Sequence, residues 1–238
     1  MPREDTRKRP IKAGGASPGG PGIRSSGLGR WRSLACEMLC LLEMSSSSQP
    51  KIRRATYADV EALPAHLVGE IIAGELVASP RPSPPHTETA SALGYLISGP
   101  FRFGNGGPGG WWIEDEPELR LGIDPDFDPV VPDLAGWRKE RFLAVAHTGN
   151  EISLLPDWVC EIVSTNWQTD VVLKRELLEN HQVPYYWIVN PLEKVITLLT
   201  FDHGAKKYHP SYYSILDDEV MIKPFGITIS LSEVFSDV

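Results

Sequence analysis

The sequence predicts an α/β domain built on a mixed β-sheet, and three observations lead to that class. Strongly apolar runs at residues 130–137, 157–164 and 183–191 are typical of strands that are buried on both faces. Helical spacing of apolar residues occurs at residues 86–97 and again after Thr169, a predicted N-cap. Alternating polar and apolar segments fill the C-terminal part of the chain. The resulting order, αβββαβ followed by more strands, indicates a mixed central sheet flanked by helices, with additional C-terminal strands.

The first fifty residues differ in composition from the rest of the chain. They are basic and rich in Gly, Pro and Ser, which is typical of disordered segments. An apolar patch among them is interrupted by two glutamates and lacks a small-residue cleavage site, which disfavours a secretory signal. We therefore predict a disordered extension over residues 1–50 and one folded domain over residues 51–238. A natural translation start at Met44 is an alternative for the same region.

The overall composition is that of an ordinary soluble protein. Of 238 residues, 42% are hydrophobic and 23% are charged. No apolar run approaches the roughly 18 to 20 residues that a membrane helix needs. The three cysteines, Cys36, Cys40 and Cys160, show no zinc-site spacing with histidine, and we interpret Cys160 as a small core residue. These features predict a reduced, cytoplasmic protein without a zinc site.

Charge is distributed unevenly along the chain. Residues 1–50 hold eight Lys or Arg against four Asp or Glu, whereas residues 51–238 hold 15 against 27, a net charge of −12. A body this acidic is not typical of proteins that bind duplex DNA without selectivity. A metal site requires acidic residues, however, and a local basic patch can coexist with a negative total.

The folded part opens with a short helix and a segment of changing character. Thr56 is a suitable N-cap for a helix over residues 57–63. Residues 68–78 change from helix-like to strand-like near Ala73–Gly74, and a proline-rich loop follows. His86 begins the next predicted helix, where we expect it to be exposed to solvent. The alternative for His86 is a phosphate contact near the helix N-terminus.

Two short strands are predicted after a glycine-rich turn, near residues 111–113 and 117–121. Glu116 and Glu118 alternate with apolar residues there, and we place Glu118 on an outward face. The acidic segment 124–129 lacks the ligand register of a calcium loop, so we interpret it as a turn.

Two acidic residues lie where apolar side chains are expected. Asp133 follows the apolar residues 130–132, and Glu161 lies inside the apolar run 158–163. A carboxylate in such surroundings costs several kcal/mol unless it has a partner or a metal ion. Carboxylates that end on adjacent strands can hold a hard divalent cation, and a lysine nearby, Lys174, can stabilise charge on a phosphate. The alternative is two strand-end residues bonded to the backbone or to arginine.

Five segments of the folded part carry a family resemblance as a set. They are VGEIIAGELVASPRPSPPH (68–86), GGPGGWWIEDEPELRLG (106–122), VVPDLAGWRKER (130–141), LPDWVCEIVS (155–164) and VPYYWIVNP (183–191). In order and spacing they resemble the Uma-two family, bacterial proteins predicted to be endonucleases. The resemblance implies the PD-(D/E)XK, or restriction-endonuclease-like, fold.

The resemblance also implies site residues. Glu70 occupies the position of a glutamate in the active-site region of the family; the alternative is a surface glutamate or a local salt bridge. In the orthodox motif a lysine follows the strand glutamate by two residues, but Val163 stands there in this chain. In this family the lysine lies instead on the helix that follows the strand, and Lys174 occupies that position in this chain. The alternative for Lys174 is a solvated helix lysine paired with Asp170, one turn away.

Together these inferences predict an Mg²⁺-dependent endonuclease that hydrolyses DNA phosphodiester bonds, with Mn²⁺ as an alternative cation. Asp133 and Glu161 would ligate the metal, Lys174 would position the attacking water or offset charge on the phosphate, and Glu70 would assist. Two alternatives stay open: a catalytically degenerate nuclease fold that serves as a binding or scaffold module, and a phosphodiesterase of RNA or a nucleotide. The sequence leaves target specificity, pathway and homodimerisation open.

Overall fold

The computed structural model describes residues 53–79, 82–122, 124–145, 151–163, 168–217 and 219–235, which belong to one compact unit. The predicted extension over residues 1–50 lies outside these ranges. The helices are α1 (Tyr57–Glu61), α2 (Pro84–Ile97), α3 (Lys139–Leu143), α4 (Gln168–Asn180) and α5 (Leu231–Val234). A π-helical turn, Ser98–Arg102, follows α2, and 3₁₀ turns occur at Pro125–Phe127 and Ile215–Asp217. The strands are β1 (Val68–Ile72), β2 (Glu75–Ser79), β3 (Trp111–Asp115), β4 (Glu118–Leu119), β5 (Leu134–Arg138), β6 (Glu151–Ile152), β7 (Trp158–Ile162), β8 (Tyr185–Asn190), β9 (Val195–Asp202), β10 (Lys207–Ser214), β11 (Glu219–Ile222) and β12 (Ile227–Ser230).

Within the described residues, six strands form the central sheet in the order β10–β9–β8–β7–β5–β3. Strands β7 and β8 are parallel, and the other neighbouring pairs of this sheet are antiparallel. The pairs β1–β2, β4–β6 and β11–β12 form separate two-stranded sheets. The predicted mixed central sheet, with helices and additional C-terminal strands, is confirmed.

Aromatic side chains pack against one face of the central sheet. Trp158 on β7 and Trp187 on β8 are fully buried, and their ring centroids lie 5.0 Å apart in an edge-to-face arrangement. Phe225 packs edge-on against both rings, at 5.0 and 5.7 Å. Leu93 and Ile97 of α2 join the same core cluster. Each edge-to-face pair adds about 0.5–1.5 kcal/mol beyond the buried area, so this packing fixes β7 and β8 against α2.

Cys160 on β7 is buried and has a free thiol. Burial raises its pKa well above the usual value, and the nearby carboxylates of Asp133 and Glu161 add to the rise. A thiol that stays protonated is a poor nucleophile. The interpretation of Cys160 as a core residue is confirmed.

Residues 68–78 form a β-hairpin, so the expectation of helix-like character in their first half is wrong. Ala73 and Gly74 have φ values of 51° and 81°, the left-handed pair that a type I′ hairpin turn requires. The amide of Ile71 donates to the carbonyl of Pro129 at 2.9 Å. Pairing with β2 and this contact outweigh the local helical preference of the segment.

The predicted helices lie close to their expected positions. α1 follows Thr56, whose amide and hydroxyl both bond to Asp59 at 2.8 Å. It ends two residues before the predicted end because Pro64 disfavours helical backbone in the residue that precedes it. α4 begins at Gln168, so Thr169 lies inside the helix and the prediction of Thr169 as its N-cap is wrong. Among the described helices, none is long and apolar enough to cross a membrane.

Candidate active site

A buried ion-pair network links β1, β7 and α4. The Nζ atom of Lys174 lies 3.0 Å from Oε1 of Glu161 and 2.8 Å from Oε1 of Glu70. Glu161 is 9% exposed and Lys174 is 7% exposed. The alternative of a solvated Lys174 is therefore wrong, and Glu70 is not a surface glutamate but one partner of a salt bridge.

The position of Lys174 follows from the spacing of apolar residues on α4. Val171 and Leu178 are buried against the sheet, and Lys174 lies between them at helical spacing. This spacing turns the lysine side chain toward the core rather than toward solvent. The buried charge then requires partners, which β1 and β7 supply.

Glu70 connects three parts of the chain. Its Oε1 atom accepts a hydrogen bond from the amide of Val131 at 2.7 Å as well as the contact from Lys174. Glu70 lies in the middle of β1, opposite Val77 of β2. The hairpin therefore fixes the glutamate, and the glutamate ties α4 to the segment that leads into β5.

Asp133 lies directly before β5, which pairs with β7 in the register Leu134 opposite Cys160. Asp133 precedes Leu134 and Glu161 follows Cys160, so both lie at the same end of this pairing, and the charge of Asp133 acts on Glu161. The amide of Ile162 donates to Oδ2 of Asp133 at 2.5 Å. The side chains of Glu70, Asp133, Glu161 and Lys174 are thus brought together, and we call them the carboxylate–lysine cluster.

Burial and mutual repulsion shape the ionisation of this cluster. Burial raises the pKa of Glu161 against the opposing attraction of Lys174, and the charges of Asp133 and Glu70 raise it further. Burial by itself would lower the pKa of Lys174, but the charges of Glu161 and Glu70 outweigh it and raise that pKa. The lysine is therefore charged, and because burial and then the neighbouring carboxylates raise the pKa of Glu161 to about 8, loss of that proton gives the cluster an excess of negative charge. Such an excess favours a bound cation.

The donor set fits an open magnesium site. Among the described residues, no three His, Cys, Asp or Glu side chains converge as ligands, which excludes a closed metal cage there. Mg²⁺ is commonly held by one or two carboxylates, with water and substrate phosphate in the remaining positions. Asp133 and Glu161, side by side on neighbouring strands, match that pattern.

His86 does not lie where the sequence predicts. Its Nε2 atom lies 2.9 Å from Oδ1 of Asp133, and its side chain is 13% exposed, so the expectation of a solvent-exposed position is wrong. Burial by itself would lower the pKa of His86, but the hydrogen bond to Asp133 and the charges of Asp133 and Glu116 raise it overall. His86 shares helical spacing with Leu93 and Ile97 of the buried face of α2, and that spacing is the signal that could have placed it.

A cleft of about 330 Å³ opens beside Asp133, between α2 and the end of β3. Its polar lining consists of His86, Thr87, Ser91, Ser98, Arg102, Glu114, Asp115, Glu116 and Asp133. Burial and then the repulsion of neighbouring carboxylates raise the pKa of both Asp115 and Glu116. Of the carboxylate–lysine cluster, Asp133 borders the cleft, whereas the Glu161–Lys174 pair is buried beside it. Glu118, predicted on an outward face, is instead half-buried.

The fold and this cluster define an α/β protein with a mixed central sheet and a carboxylate–lysine site. Residues 57–232 match the model of the Uma2 family, described as "Putative restriction endonuclease". The match covers well over half of the chain, so the chain belongs to this family, the one that the five sequence segments resemble. Membership supports nuclease activity, the hydrolysis of phosphodiester bonds in nucleic acid.

A solved structure shows the same fold. The crystal structure of "a putative nuclease belonging to DUF820" from Anabaena variabilis covers 76% of this chain and 98% of that chain. The two share 20% sequence identity and superpose with a TM-score of 0.61. At this identity the likeness is one of fold. No curated protein matches the sequence.

Proposed function

We propose that this protein is an Mg²⁺-dependent endonuclease that hydrolyses phosphodiester bonds of DNA, with Mn²⁺ able to replace Mg²⁺. The observation that carries the proposal is the 3.0 Å contact between Lys174 and Glu161, one strand away from Asp133. Two carboxylates and a lysine are suited to hold a metal ion and to offset charge on a phosphate. Membership of the Uma2 family supports the same activity.

Asp133 and Glu161 are the proposed metal ligands. Asp133 lies directly before β5 and Glu161 on the neighbouring strand β7, at the same end of their pairing, so one cation could share an oxygen from each. When bound, Mg²⁺ would supply Lewis-acid polarisation of the phosphate and activation of water. The chain itself contributes the fixed spacing of the two carboxylates and the surplus of negative charge that attracts the cation.

Lys174 is the proposed electrostatic catalyst. Its ammonium has three N–H donors, and Glu161 and Glu70 accept two of them. The third can donate to a phosphate oxygen or to the attacking water. Because the site is poorly solvated, that interaction is stronger than it would be at the surface. Glu70, itself bonded to the amide of Val131, holds the ammonium in position.

DNA is the proposed substrate, and the acidic body of the protein bears on how it binds. The net charge of −12 over residues 51–238 gives no general attraction to phosphate. Binding would therefore depend on the cation at Asp133 and Glu161 and on local donors such as Arg102, which lines the cleft. The free thiol of Cys160 is consistent with the proposed cytoplasmic location.

A binding or scaffold module without catalysis is the second candidate, and one observation favours it. Lys174 is 7% exposed and already bonded to two carboxylates, as expected of a structural ion pair. A purely structural cluster would not require Mg²⁺. Metal binding therefore separates the two candidates.

A cleavage assay tests the proposal. The protein is incubated with supercoiled plasmid, single-stranded DNA and RNA, each with Mg²⁺, Mn²⁺ or EDTA. We expect nicked or linear plasmid with either metal and intact plasmid with EDTA. Asp133→Asn and Lys174→Ala should be inactive, whereas Asp202→Asn, at the exposed end of β9, should cleave as wild type does. Cleavage of RNA alone would reassign the substrate, and absence of both cleavage and metal binding would favour the module.

A further inference from the structure

The first turn of α2 brings a histidine onto the carboxylate of Asp133. The distance from His86 Nε2 to Asp133 Oδ1 is 2.9 Å, and the two side chains are 13% and 17% exposed. An ionised carboxylate only accepts hydrogen bonds, so the proton of this bond lies on Nε2. We propose that His86 is a positioning residue that fixes the Asp133 carboxylate in the orientation for cation binding. This inference rests on the function proposed above.

Both oxygens of Asp133 are anchored, each by a different element. Oδ1 accepts from His86 on α2, and Oδ2 accepts from the amide of Ile162 on β7 at 2.5 Å. Two anchors prevent the rotation about the Cβ–Cγ bond that a single anchor would permit. Each carboxylate oxygen has two lone pairs and uses one in these bonds, so the other stays available to a metal ion. Loss of such an outer partner typically lowers metal affinity about 10- to 100-fold.

His86 is itself held in place. α2 begins at Pro84, two residues before the histidine, and packs into the core through Leu93 and Ile97. The carbonyl of Ile162 is a second acceptor beside the imidazole. A residue on a packed helix keeps its geometry better than one on a loop. The packing of α2 therefore fixes the imidazole, and the imidazole in turn holds Asp133 in place beside the strand that carries Glu161.

One pair of substitutions isolates the hydrogen bond. The amide nitrogen of glutamine is as many bonds from Cα as Nε2 of histidine, whereas that of asparagine is one bond nearer. We expect His86→Gln to reach Asp133 and His86→Asn to fall short, although both carry the same amide. Isothermal titration of the full-length protein with Mn²⁺ measures the outcome. The expected affinity is within about threefold of wild type for His86→Gln and about 10- to 100-fold lower for His86→Asn.

His209→Asn is the matched control. His209 Nε2 also faces a carboxylate, that of Asp202 at 3.3 Å, but both side chains are exposed and lie on the paired strands β9 and β10. The Mn²⁺ affinity of His209→Asn should equal that of wild type. Thermal melting in EDTA shows which variants are folded, and His86→Phe, which lacks the donor, replaces His86→Asn if the latter does not fold.

The outcomes separate the two proposals. If the wild-type protein binds Mn²⁺ and the affinities of His86→Gln and His86→Asn are equal, the positioning role is overturned and the proposed function stands. A wild-type protein that binds no Mn²⁺ would overturn both. Tight binding by wild type and His86→Gln, with weak binding by His86→Asn, would support both.

Discussion

The ammonium of Lys174 and the carboxylate of Glu161 form a buried ion pair at 3.0 Å. Glu70 shares the same lysine at 2.8 Å, although it lies on a separate hairpin about a hundred residues earlier in the chain. Two carboxyl groups therefore adjoin one ammonium in a region that water barely reaches. Removal of one partner from such a group leaves an uncompensated buried charge, which is strongly destabilising.

Lys174→Ala should lose cleavage and should also destabilise the metal-free protein. It leaves Glu161 and Glu70 without their cation, and the expected cost is roughly 3–5 kcal/mol. Mn²⁺ binding should persist because the lysine acts on the phosphate rather than on the ion. Urea denaturation in EDTA measures the loss of stability of the metal-free protein. Its comparison with denaturation in Mn²⁺ measures whether metal binding persists. Lys207→Ala, on an exposed position of β10, is the control, and unchanged cleavage by Lys174→Ala would contradict the assigned role.

Asp133→Asn should abolish the thermal response to metal. In wild type, a cation that binds only the folded state adds about 2.7 kcal/mol at a hundred times its Kd. For a domain of this size, that gain raises Tm by about 5–10 °C. In the metal-free variant, relief of the repulsion between Asp133 and Glu161 is offset by loss of one of the two hydrogen bonds that Asp133 accepts, because the asparagine amide nitrogen cannot accept, so its Tm should lie close to that of wild type. A variant that keeps the wild-type response to Mg²⁺ would show that Asp133 is not a ligand.

Much of the fold could be predicted because burial leaves a local mark in the sequence. Glu161 interrupts a run of apolar residues, and the cost of a buried carboxylate makes such an interruption conspicuous. Asp133 could be found in the same way. That the two face each other depends on the pairing of β5 with β7, which the mixed-sheet pattern made plausible but did not specify.

The parts of the structure that were predicted wrongly from the sequence depend on contacts between distant segments. The β1 segment has local helical preference, yet its pairing with β2 and the bond from Ile71 to Pro129 make it a strand. His86 was expected in solvent because its neighbours in sequence are polar and proline-rich. Helical spacing could have placed His86 on the buried face of α2, but the spacing does not specify which residue it meets there, because the contact with Asp133 arises from the packing of α2 beside β7. The catalytic roles of these residues stay predictions, which the measurements of cleavage and of Mn²⁺ binding test.

Deletion of residues 1–43 should leave Tm almost unchanged. The family match begins at residue 57, and the compact unit begins at Arg53. A longer deletion, through Glu61, is the matched comparison, because it removes α1 and the 2.8 Å bond from the Ala55 amide to the Gly74 carbonyl. Differential scanning calorimetry should show a lower Tm for the longer deletion alone. A large loss of cooperative unfolding in the shorter one would mean that the first residues belong to the fold.

Strand β10 forms one edge of the central sheet, and this edge is protected against pairing with another strand. Outward-facing amide positions alternate along β10 and fall at 208, 210, 212 and 214. Glu179 accepts the amide of Tyr208 at 2.6 Å, and Asp217 accepts the amide of Ser214 at 2.6 Å. Pro210 has no amide proton to offer. Among these positions, Tyr212 is left to present its amide outward.

Replacing two of these protections together should therefore promote association through β10. Glu179→Ala frees the amide of Tyr208, and Pro210→Val adds a donor in the middle of the strand, which restores a continuous edge. We expect the double variant to form larger species than wild type as concentration rises, measured by size-exclusion chromatography with light scattering. Glu176→Ala combined with Pro210→Val is the control, because Glu176 lies on the exposed face of the same helix and leaves the Tyr208 amide bonded. A double variant whose mass equals that of wild type at every concentration would show that other features of the edge prevent pairing.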